Sequence, residues 1–210
     1  MRPSIAERRA ALATAYPAWE PATFTTHLRR TVARFGDRPA VITDARTLTY
    51  DDLLGAARAV ARGLVKLGVQ PGDHVAMVVA NQPEFVVLQY AVAFAGAVCV
   101  PFNFRLREEE LGYVLEQSNA VCLITMDRLG NSDYLAMLDH LAPGWVTHPE
   151  GGFPRLRQVV TFATDPGAER RPGALDWAGL VRLGEDVEDR EIDRRSELRK
   201  PLDVACVMYT

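Results

Sequence analysis

The chain has 210 residues, of which 48% are hydrophobic and 24% are charged, and its formal net charge at pH 7 is -3. This composition is typical of a globular protein with a sizeable core, and the length suits one large domain or one and a half smaller ones. The charge gives no reason to expect nucleic acid or an anionic membrane as a partner. The sequence also lacks the run of about 20 apolar residues that a transmembrane helix needs.

The three cysteines, Cys99, Cys122 and Cys206, are far apart in the sequence and do not have the spacing of a metal site. An odd number of thiols, two of them within apolar runs, is typical of a reducing compartment. The N-terminal segment is rich in arginine but lacks the continuous apolar stretch of a secretory signal. We therefore expect a cytoplasmic protein in which residues 1–22 are an N-terminal extension.

The first predicted helix spans residues 23–35, where Phe24, Leu28, Val32 and Phe35 recur at the spacing of an amphipathic helix. A β-hairpin is predicted next, with strands at 40–43 and 47–50 joined by a tight turn.

The second predicted helix begins at a capping box, in which Thr49 and Asp52 satisfy backbone N–H groups at the helix N-terminus. Its apolar face ends at Gly68, and a turn at residues 70–73 leads into an apolar strand at 74–80. Such a strand is typical of a parallel sheet covered on both faces. Asn81 is the expected N-cap of the helix that follows.

Strands at residues 97–100 and 121–124 are separated by a helix at about 107–117, and Pro101 is expected to close the first of them. Strands and helices that alternate at these lengths are typical of right-handed parallel crossovers. The sequence therefore predicts an α/β fold, a mostly parallel sheet flanked by helices, for residues 23–183.

Weaker patterns follow this region. They predict a helix at 134–141, a strand at 156–162 and a short helix at 174–183. Residues 184–200 are densely charged with both signs, which predicts a solvated helix or a mobile connection. Residues 201–210 form an apolar strand pattern. Because chains usually end in polar, exposed segments, we expect the sequence to be cut within a core strand.

Motifs with known chemistry are mostly absent. Gly63 and Gly68 have the spacing of the two glycines of a phosphate loop, but Val69 stands where a lysine is required. The acidic residues between 185 and 197 alternate with basic ones, so a solvated surface explains them better than a metal site. The histidines are scattered and are interpreted as packing or surface residues: His27, His74, His140 and His148. The residues alone predict no catalytic and no metal-binding side chain.

The region from Leu48 to Ile124 resembles the N-terminal region of AMP-forming acyl-CoA synthetases of the adenylate-forming superfamily. Its motifs are, in order, Thr-Tyr-Asp-Asp-Leu, Leu-Gly-Val-Gln-Pro-Gly-Asp, Asn-Gln-Pro-Glu-Phe, Ala-Gly-Ala, Pro-Phe-Asn-Phe-Arg-Leu and a helix ending near Ser118. One such motif is weak evidence, whereas six in order are specific. Residues 201–210 resemble the strand that leads, in this family, into a Ser-Gly-Thr-Thr-Gly-x-Pro-Lys-Gly phosphate loop.

The resemblance implies that the chain is the incomplete N-terminal part of the large domain of such an enzyme, with residues 184–200 as a charged connection. The family joins a carboxylic acid to coenzyme A, using ATP and Mg²⁺, through an acyl-adenylate. Its ligand-binding residues lie almost entirely beyond the position of Thr210, which is the one residue here implied to contact ATP. We therefore expect this chain alone to bind no cofactor and to lack activity. Asn103 and Arg105 either contact a ligand or hold their loop.

Three interpretations remain open from the sequence. The chain is the N-terminal portion of an acyl-CoA ligase, a naturally short non-catalytic interaction module or remnant, or a piece of a related adenylation domain. The Pro-Phe-Asn-Phe-Arg-Leu loop favours the acyl-CoA ligases. The acyl substrate is not predicted, because this family builds its acid pocket from later residues.

Overall fold

A computed structural model of the chain describes residues 3–15, 20–164 and 170–209. The helices over these residues are α1 (Ile5–Ala15), α2 (Phe24–Phe35), α3 (Tyr50–Lys66), α4 (Pro83–Phe94), α5 (Glu108–Gln117), α6 (Tyr134–Leu141), α7 (Trp177–Leu183) and α8 (Asp189–Glu197). The strands are β1 (Pro39–Ile42), β2 (Thr47–Thr49), β3 (His74–Val78), β4 (Val98–Phe102), β5 (Cys122–Met126), β6 (Arg128–Leu129), β7 (Ser132–Asp133), β8 (Gln158–Phe162) and β9 (Leu175–Asp176). A 3₁₀ turn, Pro149–Gly151, precedes β8.

The centre of the fold is a five-stranded parallel sheet with the strand order β4-β3-β5-β8-β9. The chain passes from β3 to β4 on one side and then returns to place β5 on the other side of β3. The hairpins β1-β2 and β6-β7 are separate antiparallel pairs. This arrangement confirms the predicted α/β fold with a parallel sheet flanked by helices.

Helices α2–α8 pack as two groups. Helix α3 contacts α2, α4, α7 and α8, whereas α5 contacts α6. Every residue of β5 is buried, and the largest fully buried side chains include Trp145, Tyr134 and Phe94. Burial of this apolar surface is the main stabilising contribution to the fold. None of the helices in the described part of the chain is both long and apolar enough to cross a membrane.

Helix α3 begins at the predicted capping box. The Thr49 Oγ1 atom accepts the Asp52 N–H at 3.1 Å, and the Asp52 carboxylate accepts the Thr49 N–H at 2.9 Å. These hydrogen bonds from Thr49 hold the pKa of Asp52 below its usual value. Beyond the other end of the helix, Gly68 has a φ of 87°, which glycine adopts without strain.

The prediction of Asn81 as an N-cap is wrong. The N-cap of α4 is Gln82, and its side chain makes no capping hydrogen bond. Pro83 occupies the first turn and forces the residue before it into extended backbone, so the helix begins after Gln82.

Strand β4 does not end at Pro101, as the sequence suggested, but continues to Phe102. Cys99 lies two residues before Pro101 in the same strand. Its N–H bonds to Ala205 and its C=O accepts from Val207, so both groups point away from β3. The backbone groups of Pro101 point to the same side as those of Cys99, so the missing N–H of the proline removes no bond to β3. The proline is therefore compatible with a paired strand.

The predicted strand at 201–210 is wrong over its described residues. Only one parallel bridge forms there, between Cys99 and Cys206, with the Cys99 N–H donated to Ala205 O at 3.0 Å. The next bond of a ladder would need an N–H on Pro101, which proline lacks. The segment is also more exposed than a core strand, with Leu202 92% and Met208 72% exposed.

The charged segment 184–200 contains helix α8, and one face of this helix is buried through Ile192, Arg195 and Ser196. The sequence predicted a solvated helix or a mobile connection for this segment. The structure has a helix, α8, that is solvated on its outer face only. The predicted helix at 174–183 starts later, at Trp177, because Leu175 and Asp176 pair with β8 as strand β9. The predicted segment boundaries, 1–22, 23–183, 184–200 and 201–210, stay predictions.

Candidate functional site

The carboxyl ends of the parallel strands lie at one edge of the sheet. In open α/β sheets, ligands bind outside this edge, where the strand order reverses. Here the strand order reverses between β3 and β5, and the loops after β4, β5 and β8 leave the sheet at the same edge because these strands are parallel. This edge is the candidate functional site.

The loop after β4 is held by its own side chains. Asn103 Oδ1 accepts the N–H of Arg105 at 3.0 Å, which is a local turn. The guanidinium of Arg105 lies 5.8 Å from the ring centre of Phe104. Both Asn103 and Arg105 are exposed, and among the described residues no carboxylate forms an ion pair with Arg105. The bond of Asn103 supports its loop-holding role, whereas the exposed Arg105 side chain lies against Phe104.

Helix α6 supports the same loop from the side. The hydroxyl of Tyr134 donates to Phe104 O at 2.5 Å, and the Tyr134 side chain is almost fully buried. Burial raises the pKa of this phenol, so it stays protonated and acts as a donor. The loop after β4 is therefore connected to the part of the fold that follows β5.

Asp127 follows β5 directly and joins the ends of two strands. Its Oδ1 atom accepts the Thr164 N–H at 2.9 Å, the Thr164 hydroxyl at 2.7 Å and the Arg128 N–H at 2.6 Å. The residue is only 6% exposed. Asp127 was not among the residues predicted from the sequence, although a carboxylate soon after a buried apolar strand was the available signal.

A groove of about 530 Å³ lies at the carboxyl ends of β8 and β9. Its apolar wall includes Phe162 and Trp177, whose rings meet edge to face at 5.8 Å. Two arginines at its rim have acidic partners, since Arg170 lies 3.9 Å from Asp176 and Arg171 lies 2.6 Å from Asp139. The groove is therefore an apolar cleft whose rim charges are already paired.

The residue predicted to contact ATP, Thr210, lies outside the described residues, so this assignment stays a prediction. Tyr209 before it packs edge to face on Phe102, with ring centres 5.8 Å apart. Phe102 is the last residue of β4. The chain therefore reaches the candidate edge of the sheet just before Thr210.

The described residues do not fit an ATP and Mg²⁺ site on their own. A phosphate site of this kind needs a cradle of backbone N–H groups and a lysine. The chain has two lysines, Lys66 and Lys200, and Lys66 pairs with Asp186 far from this edge. Over residues 3–15, 20–164 and 170–209, no group of three or more His, Cys, Asp or Glu side chains could hold a metal ion.

The histidines are not brought together. His74 Nδ1 lies 2.7 Å from Ser118 O, whereas His140 and His148 lie beside Glu108 and Glu150 at the surface. The Gly63–Gly68 segment ends helix α3 and does not begin a helix, so it is not a phosphate loop.

The family model described as "AMP-binding enzyme" matches residues 28–210, which is most of the chain. The chain belongs to the AMP-binding enzyme family. This membership confirms the resemblance to the adenylate-forming superfamily that the motifs between Leu48 and Ile124 indicate.

Individual relatives agree with the family. The chain is 30% identical over 192 residues to a CoA ligase of Rhodococcus jostii named for a 7a-methyl-1,5-dioxo-octahydro-1H-inden-4-yl propanoyl group, covering 91% of this chain and 35% of that protein. It is 32% identical over 163 residues to the long-chain-fatty-acid–CoA ligase FadD15 of Mycobacterium bovis, covering 78% and 24%. The solved apo structure of MbtA from Mycobacterium smegmatis matches with a TM-score of 0.60 and 28% identity, covering 87% and 31%.

The chain thus spans about a third of the length of curated relatives that it matches over most of its own residues. The family match over residues 28–210 includes every strand of the five-stranded sheet.

Proposed function

We propose that this chain forms the N-terminal portion of an AMP-forming acyl-CoA ligase. Such an enzyme activates a carboxylic acid with ATP and Mg²⁺ to an acyl-adenylate, releases pyrophosphate, and transfers the acyl group to the thiol of coenzyme A. The observation that carries the proposal is the family match over residues 28–210. CoA ligases among the relatives favour a thiol acceptor. We assign the enzyme to the cytoplasm.

In this proposal the described chain is scaffold, and it does not catalyse the reaction alone. Acyl-adenylate formation needs donors and a metal ion aimed at the charge that develops on the phosphates. The described residues provide no metal cluster, and the two lysines lie elsewhere, since Lys66 pairs with Asp186 and Lys200 lies near Ala97, before the start of β4. We therefore expect the isolated chain not to bind ATP with micromolar affinity.

The test compares the 210-residue chain with a version extended through the downstream reading frame. We expect the downstream codons to encode a Ser-Gly-Thr-Thr-Gly-like loop followed by a lysine. The extended protein should exchange pyrophosphate into ATP with one or more carboxylic acids and then form acyl-CoA, whereas the short chain should do neither. Exchange by the short chain, or a downstream frame without such a loop, would overturn the proposal.

A further inference from the structure

Helix α8 is attached to the body of the fold by ion pairs from two other helices. Asp193 Oδ1 lies 2.5 Å from Arg29 Nη2 of α2 and 2.6 Å from Arg58 Nη1 of α3. One turn earlier, Asp189 pairs with Arg58 at 3.2 Å and with Arg62 at 2.8 Å. These five residues are called the α8 ion-pair cluster below.

Helix α8 is highly charged, and the face that it turns towards the fold is buried. Arg195 is only 7% exposed, and its guanidinium donates to Val69 O at 2.5 Å and to Glu191 at 2.6 Å. Ile192 beside it is fully buried. Directional, charge-assisted bonds therefore supply much of the attachment, because α8 has few apolar side chains to bury.

Arg29 connects the cluster to the C-terminal end of α8. The same Nη2 atom that contacts Asp193 donates to Ser196 Oγ at 3.1 Å. Past the end of the helix, Arg199 donates to Val204 O at 2.9 Å, which folds the chain back on itself. The segment then reaches β4 at its single bridge, Cys99 to Cys206.

That bridge is too small to set the path of the segment by itself. It consists of two backbone bonds, Cys99 N–H to Ala205 O at 3.0 Å and Val207 N–H to Cys99 O at 2.9 Å. The lack of an N–H on Pro101 prevents the ladder from continuing. The starting point of the segment, at the end of α8, therefore matters for where it lies.

We propose that Asp193 is a positioning residue: held between Arg29 and Arg58, it fixes the end of α8 and so sets the path of residues 199–209 along β4. The functional importance of this role rests on the proposed function, in which residues 199–209 lead towards the ATP phosphate loop. The contact itself does not depend on that function and is testable in the 210-residue chain.

The experiment measures amide hydrogen exchange by NMR in the 210-residue chain and in Asp193→Asn, Asp193→Glu and Asp186→Asn variants. In Asp193→Asn, the amides of Cys99 and Val207 should exchange about 5- to 10-fold faster, while amides of β3 keep their rates. Asp193→Glu should restore most of the protection, since it keeps the charge. Asp186→Asn is the matched control, because it removes an exposed ion pair with Lys66 that lies outside the cluster.

Two results would overturn the proposal. One is unchanged exchange at Cys99 and Val207 in Asp193→Asn. The other is a uniform acceleration that includes β3, which would mean that α8 contributes only to global stability. Arg29→Gln provides a second variant, which removes the contacts to Asp193 and Ser196 from the side of α2 and should give the same local pattern. Hydrogen exchange does not depend on ligase activity. The test therefore stays valid even if the proposed function is wrong.

Discussion

Glu191 shows how a single charged side chain acts in helix α8. Its carboxylate accepts hydrogen bonds from Arg194 at 2.8 Å and from Arg195 at 2.6 Å, one turn along the same helix. The bonds from Arg194 and then Arg195 lower the pKa of Glu191 to about 2, from an ordinary value of 4.5. The charged form is therefore favoured in the folded chain.

The sign of the resulting pH dependence follows directly. The unfolded chain binds a proton at Glu191 below about pH 4.5, whereas the folded chain does so only near pH 2. The stabilisation by Glu191 is thus fully present above pH 4.5 and is lost as the pH falls towards 2. A carbon-detected NMR titration should find the Glu191 midpoint well below 4.5, at about 2, and Arg194→Gln should raise this midpoint. A midpoint near 4.5 in the unaltered chain would contradict these contacts.

Residue-level features were predictable where both partners are close in sequence. The bond between Thr49 and Asp52 spans three positions, so the capping box could be identified from the sequence. The contact between Arg29 and Asp193 spans 164 positions, and that between Asp127 and Thr164 spans 37. These depend on tertiary packing, so the sequence indicated only charge and not a partner.

At the scale of elements, helix α3 contains two interior glycines with opposite surroundings. A Cβ atom added to Gly63 would overlap the backbone oxygen of Leu180 and lie 2.7 Å from its Cδ1 atom. A Cβ atom added to Gly55 would meet nothing within 4 Å. Helix α7 therefore approaches α3 closely at Gly63, because no side chain stands between them.

We expect Gly63→Ala and Gly55→Ala to change the free energy of unfolding in opposite directions. Gly63→Ala should lower the free energy of unfolding by about 1–3 kcal/mol, because α7 must move away from α3. Gly55→Ala should stabilise by about 0.5–1 kcal/mol, since alanine is the better helix former at an open position. Urea unfolding followed by circular dichroism measures both. Equal effects of the two substitutions would show that α7 does not pack against Gly63.

Element positions were predictable from local patterns, and the errors have tertiary causes. The helix at 134–141 was predicted at its observed bounds, because its apolar period is local. The strand predicted at 201–210 failed because its neighbour carries Pro101, which the pattern of the segment itself cannot show. Strand β9 was missed because two residues carry no periodicity.

At the scale of the whole molecule, the reactivity of the three thiols measures how accessible the core is to solvent. Cys99 lies on β4 and Cys122 on β5, with β3 between them. Both thiols are buried, and burial raises the pKa of each to about 12. Cys206 is half-buried, and burial raises its thiol pKa as well. The reactive thiolate is therefore scarce at neutral pH.

A thiol reagent at pH 8 should react slowly with Cys206 and not with the other two cysteines in the folded chain. All three should react quickly in 6 M guanidinium chloride. Cys206→Ser should abolish the slow native reaction and leave two thiols after unfolding. Rapid native labelling of two or more thiols would show that the β4 side of the sheet opens to solvent.

The proline in β4 also affects how this protein behaves at high concentration. Outer strands of sheets present a row of unpaired groups that can recruit strands from other molecules and seed fibrils. Pro101 interrupts that row on the outward side of β4, so an incoming strand could form no continuous ladder there. A position that the sequence suggested as the end of a strand thus acts as protection against polymerisation, and it keeps this role whenever residues 201–209 lift from the sheet.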